Sequence, residues 1–288
     1  MKKLAIILII LAISLPVFAA ATKEQAATTT DYSAMSLDQL KAAITTVTSG
    51  KFTVATSPDF APYEFYAIGD DGVPTLAGFD MSLAQYIADY LGLELEVIPM
   101  DFDGTIMEVQ NKNVDAGMAG YSPAPERAEV MEFSIIYYTG GQSFVTTKAN
   151  ADKFKTLDDT NNKNVSVAAQ VGSIQMDLAS KYSPNADIVA LSKVTDIIAE
   201  LITGKISGAY IETVVASAYQ KNYPSLELVL DVPYDTEGSA IGVAKGNLAL
   251  LEGVNRAIAQ ALSDGSMNAF VAEANEKATG NIIEGLID

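Results

Sequence analysis

The chain has 288 residues, with 36 acidic against 18 basic side chains, a formal net charge of −18, and no histidine, cysteine or tryptophan. So acidic a surface repels nucleic acid and anionic lipid. The missing residue types exclude disulfides, Ser-His-Asp and Cys-His nucleophilic catalysis and any ordinary zinc site, which leaves carboxylate or lysine chemistry. A hydrophobic fraction of 49% supplies ample core for two lobes.

The first 19 residues, MKKLAIILIILAISLPVFA, place Lys2 and Lys3 ahead of an apolar run and close on Val17-Phe18-Ala19. That is the layout of a secretory signal peptide cleaved near Ala19. The run falls well short of the ~20 residues a membrane-spanning helix needs. No cysteine follows it to carry a lipid anchor, so a freely soluble periplasmic protein is expected. Residues 20–50 read as a polar tether and a short helix. Ser36-Leu37-Asp38-Gln39 has the form of a capping box, and Leu37, Leu40, Ile44 and Val47 share one helical face behind it.

From Lys51 onward, strand and helix patterns alternate. Residues 52–56 read as a strand, 80–91 as a helix stopped by Gly92, and 93–97 as a strand. Asp103 can cap a helix running to Val109, with the next strand at 114–118. After Lys148 the series continues with a strand at 165–169, a helix at 173–182, a strand at 188–191 and a helix at 196–202. A strand at 209–211, a helix at 213–222 and a strand at 226–230 complete it. This alternation predicts parallel α/β sheets. Extended stretches at 144–147 and 240–244 bracket the second run, and two such crossings point to two lobes joined by a hinge. Lobe 1 would take residues 51–141 plus 243–288, and lobe 2 residues 142–242 with the hinge strands at its ends. A single large sheet fits the same periodicity.

Only two of the 18 basic residues are arginines, Arg127 and Arg256. Arg127 follows Ser122-Pro123-Ala124-Pro125, where a strand gives way to a helix. A guanidinium fork matches a carboxylate with two parallel hydrogen bonds, which a lysine ammonium does not. Gly120 permits close approach to the backbone, and Ser122 offers a hydroxyl just before a helix start, where anions are favoured. Arg127 could equally pair with Glu126, Glu129 or Glu132 on the surface.

Three further stretches bear on that choice: TSPDFAPYEF (56–65), GFDMSLAQYIADYLG (78–92) and MDFDGTIMEVQNKNVDAGMAGYSPAPERAEVMEFS (100–134). With Gly204 to Glu212 in the second half, they resemble the periplasmic solute-binding proteins of polar amino-acid ABC importers. The likeness spans residues 51–277 and is closest to the glutamine-, arginine- and histidine-binding branch. It implies a two-lobed α/β binding protein, without a cofactor and monomeric, that delivers an L-amino acid to importer membrane subunits. By the resemblance, Arg127 grips the ligand α-carboxylate beside Ser122. The Gly120 carbonyl meets the α-ammonium, and Phe60 and Phe102 wall the side chain. Gln170 to Ile174 form a loop whose helix N-terminus donates to the carboxylate, with Ser173 as its hydroxyl, and Glu212 pairs with the α-ammonium.

The chain departs from that pattern in places. Ser57 stands where the family often has an aspartate that reads an amide or cationic side chain, which weakens the case for arginine, lysine or histidine. Ala124 replaces a threonine, Glu212 an aspartate, and Gln170 a lysine found in some relatives. Phe60 and Phe102 could be core residues, Ser173 a helix cap, and Glu212 a loop acid. Two other functions share the fold: a dehydratase of prephenate or arogenate type, with Glu212 as general acid, and a ligand-sensing subunit of a membrane receptor.

Overall fold

The computed structural model describes residues 30–69, 72–235 and 238–279. The expected leader over residues 1–19 and most of the tether lie outside the described residues. A 3-10 turn at Tyr32–Ala34 precedes α1 (Leu37–Ala43), which opens on the expected capping box. Gln39 N donates to Ser36 Oγ, and Ser36 N donates to Gln39 Oε1. The helix is shorter than its apolar spacing predicts: Ile44 ends it in an extended conformation, and Val47 is exposed beyond it. Of the four apolar positions, only Leu40 is fully buried.

The next elements are β1 (Lys51–Thr56), β2 (Asp59–Phe60), β3 (Glu64–Ile68), β4 (Pro74–Ala77), α2 (Phe79–Leu91), β5 (Glu94–Pro99), α3 (Phe102–Gln110), β6 (Ala116–Gly117), α4 (Pro125–Ala128) and β7 (Met131–Phe133). In α2, Phe79, Leu83, Ile87 and Leu91 repeat every fourth residue and form its buried stripe, each contributing about 1.5–3 kcal/mol. Gly92 ends the helix at φ 75, a left-handed conformation that costs glycine nothing. Asp103 does not cap α3; Asp101 holds that position, without a capping hydrogen bond, and Asp103 falls in the first turn.

The second run comprises β8 (Gln142–Thr147), β9 (Ser166–Gln170), α5 (Ile174–Tyr182), β10 (Asp187–Leu191), α6 (Val194–Ile202), β11 (Gly208–Glu212), α7 (Thr213–Asn222) and β12 (Leu226–Asp231). The chain then returns through β13 (Gly242–Ala244) to α8 (Leu248–Ser263) and α9 (Ser266–Lys277).

These strands form two five-stranded sheets, ordered β5-β1-β6-β13-β7 and β10-β9-β11-β8-β12, and a small β2-β3-β4 sheet. The single-sheet alternative is thereby overturned, and the protein is a two-lobed α/β molecule. Neither large sheet is wholly parallel. β1 runs parallel to β5 and β6, but β13 is antiparallel to β6 and β7; β9 runs parallel to β10 and β11, but β8 is antiparallel to β11 and β12. Strands entering from the other lobe bring the opposite direction.

The first crossing also lies earlier than the extended pattern suggests. Residues 144–147 are inside β8, whereas the linking segment precedes it. Tyr138 and Ser239 form an antiparallel bridge between the two linking segments, with Ser239 N donating to Tyr138 O at 2.7 Å. Among the described residues, no helix is long and apolar enough to cross a membrane.

Candidate functional site

The carboxyl ends of β1 and β6 in one sheet and of β9 and β11 in the other converge on a narrow cleft with a cavity volume of about 20 Å³. The crevice at strand carboxyl ends is where open α/β sheets bind ligands. Eight of the ten residues singled out from the sequence line it: Phe60, Phe102, Gly120, Ser122, Arg127, Gln170, Ile174 and Glu212.

Arg127 sits on the single turn of α4 and is 7% exposed. Its Nη1 donates to Ser122 O at 3.1 Å and its Nη2 to Gly172 O at 2.9 Å, so the guanidinium spans from one lobe to the loop ahead of α5. The Cζ lies 5.5 Å from the centre of the Phe102 ring. Among the described residues Arg127 makes no ion pair, and Glu132 pairs instead with Lys245 at 3.4 Å. The surface-pairing alternative therefore fails. Burial lowers the guanidinium pKa, with the neighbouring Tyr121, Glu126 and Asp177 acting the other way.

Gly120 has φ 59 and donates its N–H to Asp80 Oδ2 at 3.2 Å. A Cβ here would stand 2.8 Å from the Phe60 ring, so the aromatic wall itself requires glycine. Phe60 packs on Tyr63 with centroids 5.2 Å apart, and Phe102 meets Tyr121 edge-on at 5.6 Å. Both rings are core members and cleft walls at once. Asp80 also accepts from Tyr137 Oη at 2.9 Å. Burial pushes Asp80 up to about 6, and pushes its neighbour Glu64 well above the carboxylate range.

Glu212, at the end of β11, caps α7: its Oε2 accepts from Val215 N at 2.9 Å. It is 5% exposed, so it is not a solvated loop acid. Its Oε1 is buried with no hydrogen-bond partner. Burial raises its pKa to about 7, partly offset by nearby backbone N–H groups, that of Val215 first. A buried acceptor left unmatched is costly unless something brings it a donor.

Ser173 and Ser57 lie off the cleft wall. The Ser173 hydroxyl is consumed locally as the N-cap of α5, accepting from Met176 N and donating to Gln170 O at 2.7 Å. The Ser57 hydroxyl donates to Asp59 Oδ1 at 2.8 Å. Eight lining residues were not foreseen, among them Tyr63, Gln142, Gln175, Tyr234 and Ser239. Gln142, Gly140, Tyr234, Gly238 and Ser239 belong to or flank the linking segments. Gln175 Nε2 donates to Gln142 Oε1 at 2.8 Å, and Tyr63 Oη lies 3.0 Å from Ser239 Oγ. The glycines at 140, 141 and 238 were the available signal, because such positions let backbone approach a neighbour closely.

The cleft is thus lined by one buried guanidinium and one buried carboxyl, neither in an ion pair among the described residues, and by two aromatic rings. Such a site can accept a molecule carrying both a carboxylate and an ammonium, because each charge finds a partner when it leaves water.

Residues 52–274 match the family described as bacterial extracellular solute-binding proteins, family 3. The arginine-binding extracellular protein ArtP of Bacillus subtilis (strain 168) is 32% identical over 221 residues, covering 75% of this chain and 83% of that protein. The crystal structure of an amino acid ABC transporter substrate-binding protein, AbpA from Streptococcus pneumoniae Canada MDR_19A, bound to L-arginine, superposes with a TM-score of 0.77 at 31% identity, over 80% of this chain and 96% of that one. An ancestral amino acid-binding protein, a precursor of cyclohexadienyl dehydratase, gives a TM-score of 0.71 at 30% identity, over 82% of this chain and 98% of that one. On this match, over most of its length, the chain belongs to the bacterial extracellular solute-binding proteins of family 3.

Proposed function

We propose that the protein is the extracytoplasmic amino-acid receptor of an ABC importer, that it acts as a monomer without turnover, and that its ligand is a basic amino acid, L-arginine first. The observation that carries this reading is the unpaired Arg127 guanidinium facing the same cleft as the unpartnered Glu212 Oε1. Arg127 takes the α-carboxylate beside Ser122, Glu212 and the Gly120 carbonyl take the α-ammonium, and Phe60 and Phe102 flank the side chain. Relatives named for arginine, or bound to it, support the basic ligand. Lobe 1, residues 51–141 with 243–288, and lobe 2, residues 142–242, close about the linking segments, because a ligand that touches both stabilises the closed state.

A thermal-shift series on the mature protein, unfolded and refolded to strip copurified ligand, tests this. L-arginine at a hundred times its Kd should add about 2.7 kcal/mol of stability, a rise of several degrees in Tm. No shift with any proteinogenic amino acid would overturn the receptor.

A second reading, a dehydratase on prephenate or arogenate, draws on the Glu212 carboxyl raised to about 7 and on the likeness to a dehydratase precursor. Mass spectrometry separates the two: product from either substrate would favour the enzyme, and unchanged ligand the receptor.

A further inference from the structure

We propose that Asp59 is a positioning residue for ligand choice: it fixes the Gln170 side-chain amide so that the cleft presents an oxygen acceptor backed by a carboxylate. This wall then selects a side chain that brings hydrogen-bond donors and positive charge, a guanidinium or an ammonium. The inference rests on the receptor reading and names the residues that read the side chain.

Gln170 is 4% exposed and lines the cleft. Its Nε2 lies 3.0 Å from Ser192 O and 3.1 Å from Asp59 Oδ2. A backbone carbonyl can only accept, so the group facing Ser192 must be the NH2 and not the oxygen. Both amide hydrogens are then committed away from the ligand, and Oε1 is the side chain's remaining polar atom. A carbonyl oxygen in that position rewards a donor and penalises a second acceptor.

Asp59 stands directly behind this amide, on β2 beside the Phe60 wall, and is 3% exposed. Its Oδ2 also accepts from Val194 N at 2.5 Å, and its backbone carbonyl accepts from Tyr219 Oη at 3.0 Å. Three elements of lobe 2 therefore hold it in place. No ion pair among the described residues neutralises it. The second aromatic wall, Phe102, is likewise preceded by an aspartate, and Asp101 Oδ1 is buried without a hydrogen-bond partner. The negative charge of Asp101 is felt at Asp59, although burial is the larger reason that Asp59 is pushed up to about 6. That value still lies below neutral pH. The charge absent at Ser57 is thus present two residues later, with the Ser57 hydroxyl donating to it.

Isothermal titration of the mature protein with L-arginine, L-lysine, L-glutamine and L-glutamate, before and after Asp59→Asn, tests the inference. The asparagine keeps an oxygen acceptor for Val194 and Gln170 and removes the charge, and its NH2 group replaces Oδ1 beside the Ser57 hydroxyl, which then accepts instead of donating. The arginine-to-glutamine affinity ratio should fall by about tenfold or more, with glutamine binding held within about twofold. Gln170→Met, which leaves Asp59 in place but removes the oxygen, should also lower the ratio and keeps the test available if Asp59→Asn fails to fold. A merely structural role would weaken every ligand alike, and an unchanged ratio in either folded variant would overturn the proposal. Tighter binding of glutamate or glutamine than of arginine by the unaltered protein would also overturn it while leaving the receptor standing. Binding of no amino acid would remove both.

Discussion

Arg127 and Arg256, the protein's two arginines, present the same fork to opposite ends. Arg256, on α8, donates Nε to Glu252 at 2.7 Å, Nη1 to Met35 O at 2.9 Å, and Nη2 to Tyr32 O at 2.9 Å and Ser33 O at 3.0 Å. Its donors are spent on clamping the N-terminal 3-10 turn against the helix. Among the described residues Arg127 makes two hydrogen bonds, both to carbonyls, and no ion pair. A fork satisfied by its own chain is a structural clamp. One that is buried and left without an anion is available to a ligand, and the protein bears the cost of holding it there.

The sharpest way to break this contrast is to replace each arginine and compare readouts. Arg127→Lys replaces the planar fork with a point charge and should weaken every accepted amino acid by about a hundredfold, read by titration calorimetry across a panel. Wild-type affinities throughout the panel would refute its role.

The anionic half of the site predicts a pH dependence. The Glu212 carboxyl is raised from 4.5 to about 7 in the folded protein. Between those values the folded chain holds a proton that the unfolded chain has released, so this group's contribution to stability is present at low pH and lost as pH rises toward about 7. An α-ammonium requires the ionised carboxylate, so ligand affinity moves the other way. It should rise by up to about tenfold per pH unit as pH climbs toward 7, then level off, with proton release on binding. Calorimetry in buffers of different ionisation enthalpy measures the proton. Glu212→Gln should flatten the profile near 7 and remove the proton release that goes with it.

The smallest expected effect on binding comes from the other arginine. Arg256→Ala should lower stability by about 2 kcal/mol, about 4–8 °C in Tm, by freeing the N-terminal segment. Ligand affinity should stay within about twofold. A large loss of affinity would mean that the clamp and the cleft are coupled.

Elements with strong local signals were legible in the sequence. The Ser36–Gln39 capping box, the Gly92 stop of α2, and the α7 limits at Thr213–Asn222 follow from hydrogen bonding and periodicity within a few residues. The β2-β3-β4 sheet, α8, α9 and the true position of the first crossing were not read. The linking segments carry little periodicity, and Tyr138 and Ser239 pair only because two distant sheets bring them together. The same reason hid Gln142, Tyr234 and Ser239 from the site.

By itself the sequence determined the available chemistry. It ruled out histidine and cysteine catalysis, set an acidic surface, fixed most helix limits, and left two arginines to carry any bidentate recognition. Tertiary structure decided that Arg127, already singled out by the resemblance, goes without an ion pair among the described residues, although three glutamates lie within five residues of it. It also decided that Asp59 meets Gln170, 111 residues away, and that Ser173 is spent as a cap. Side-chain partners follow from burial and from which backbones approach, and local sequence encodes neither.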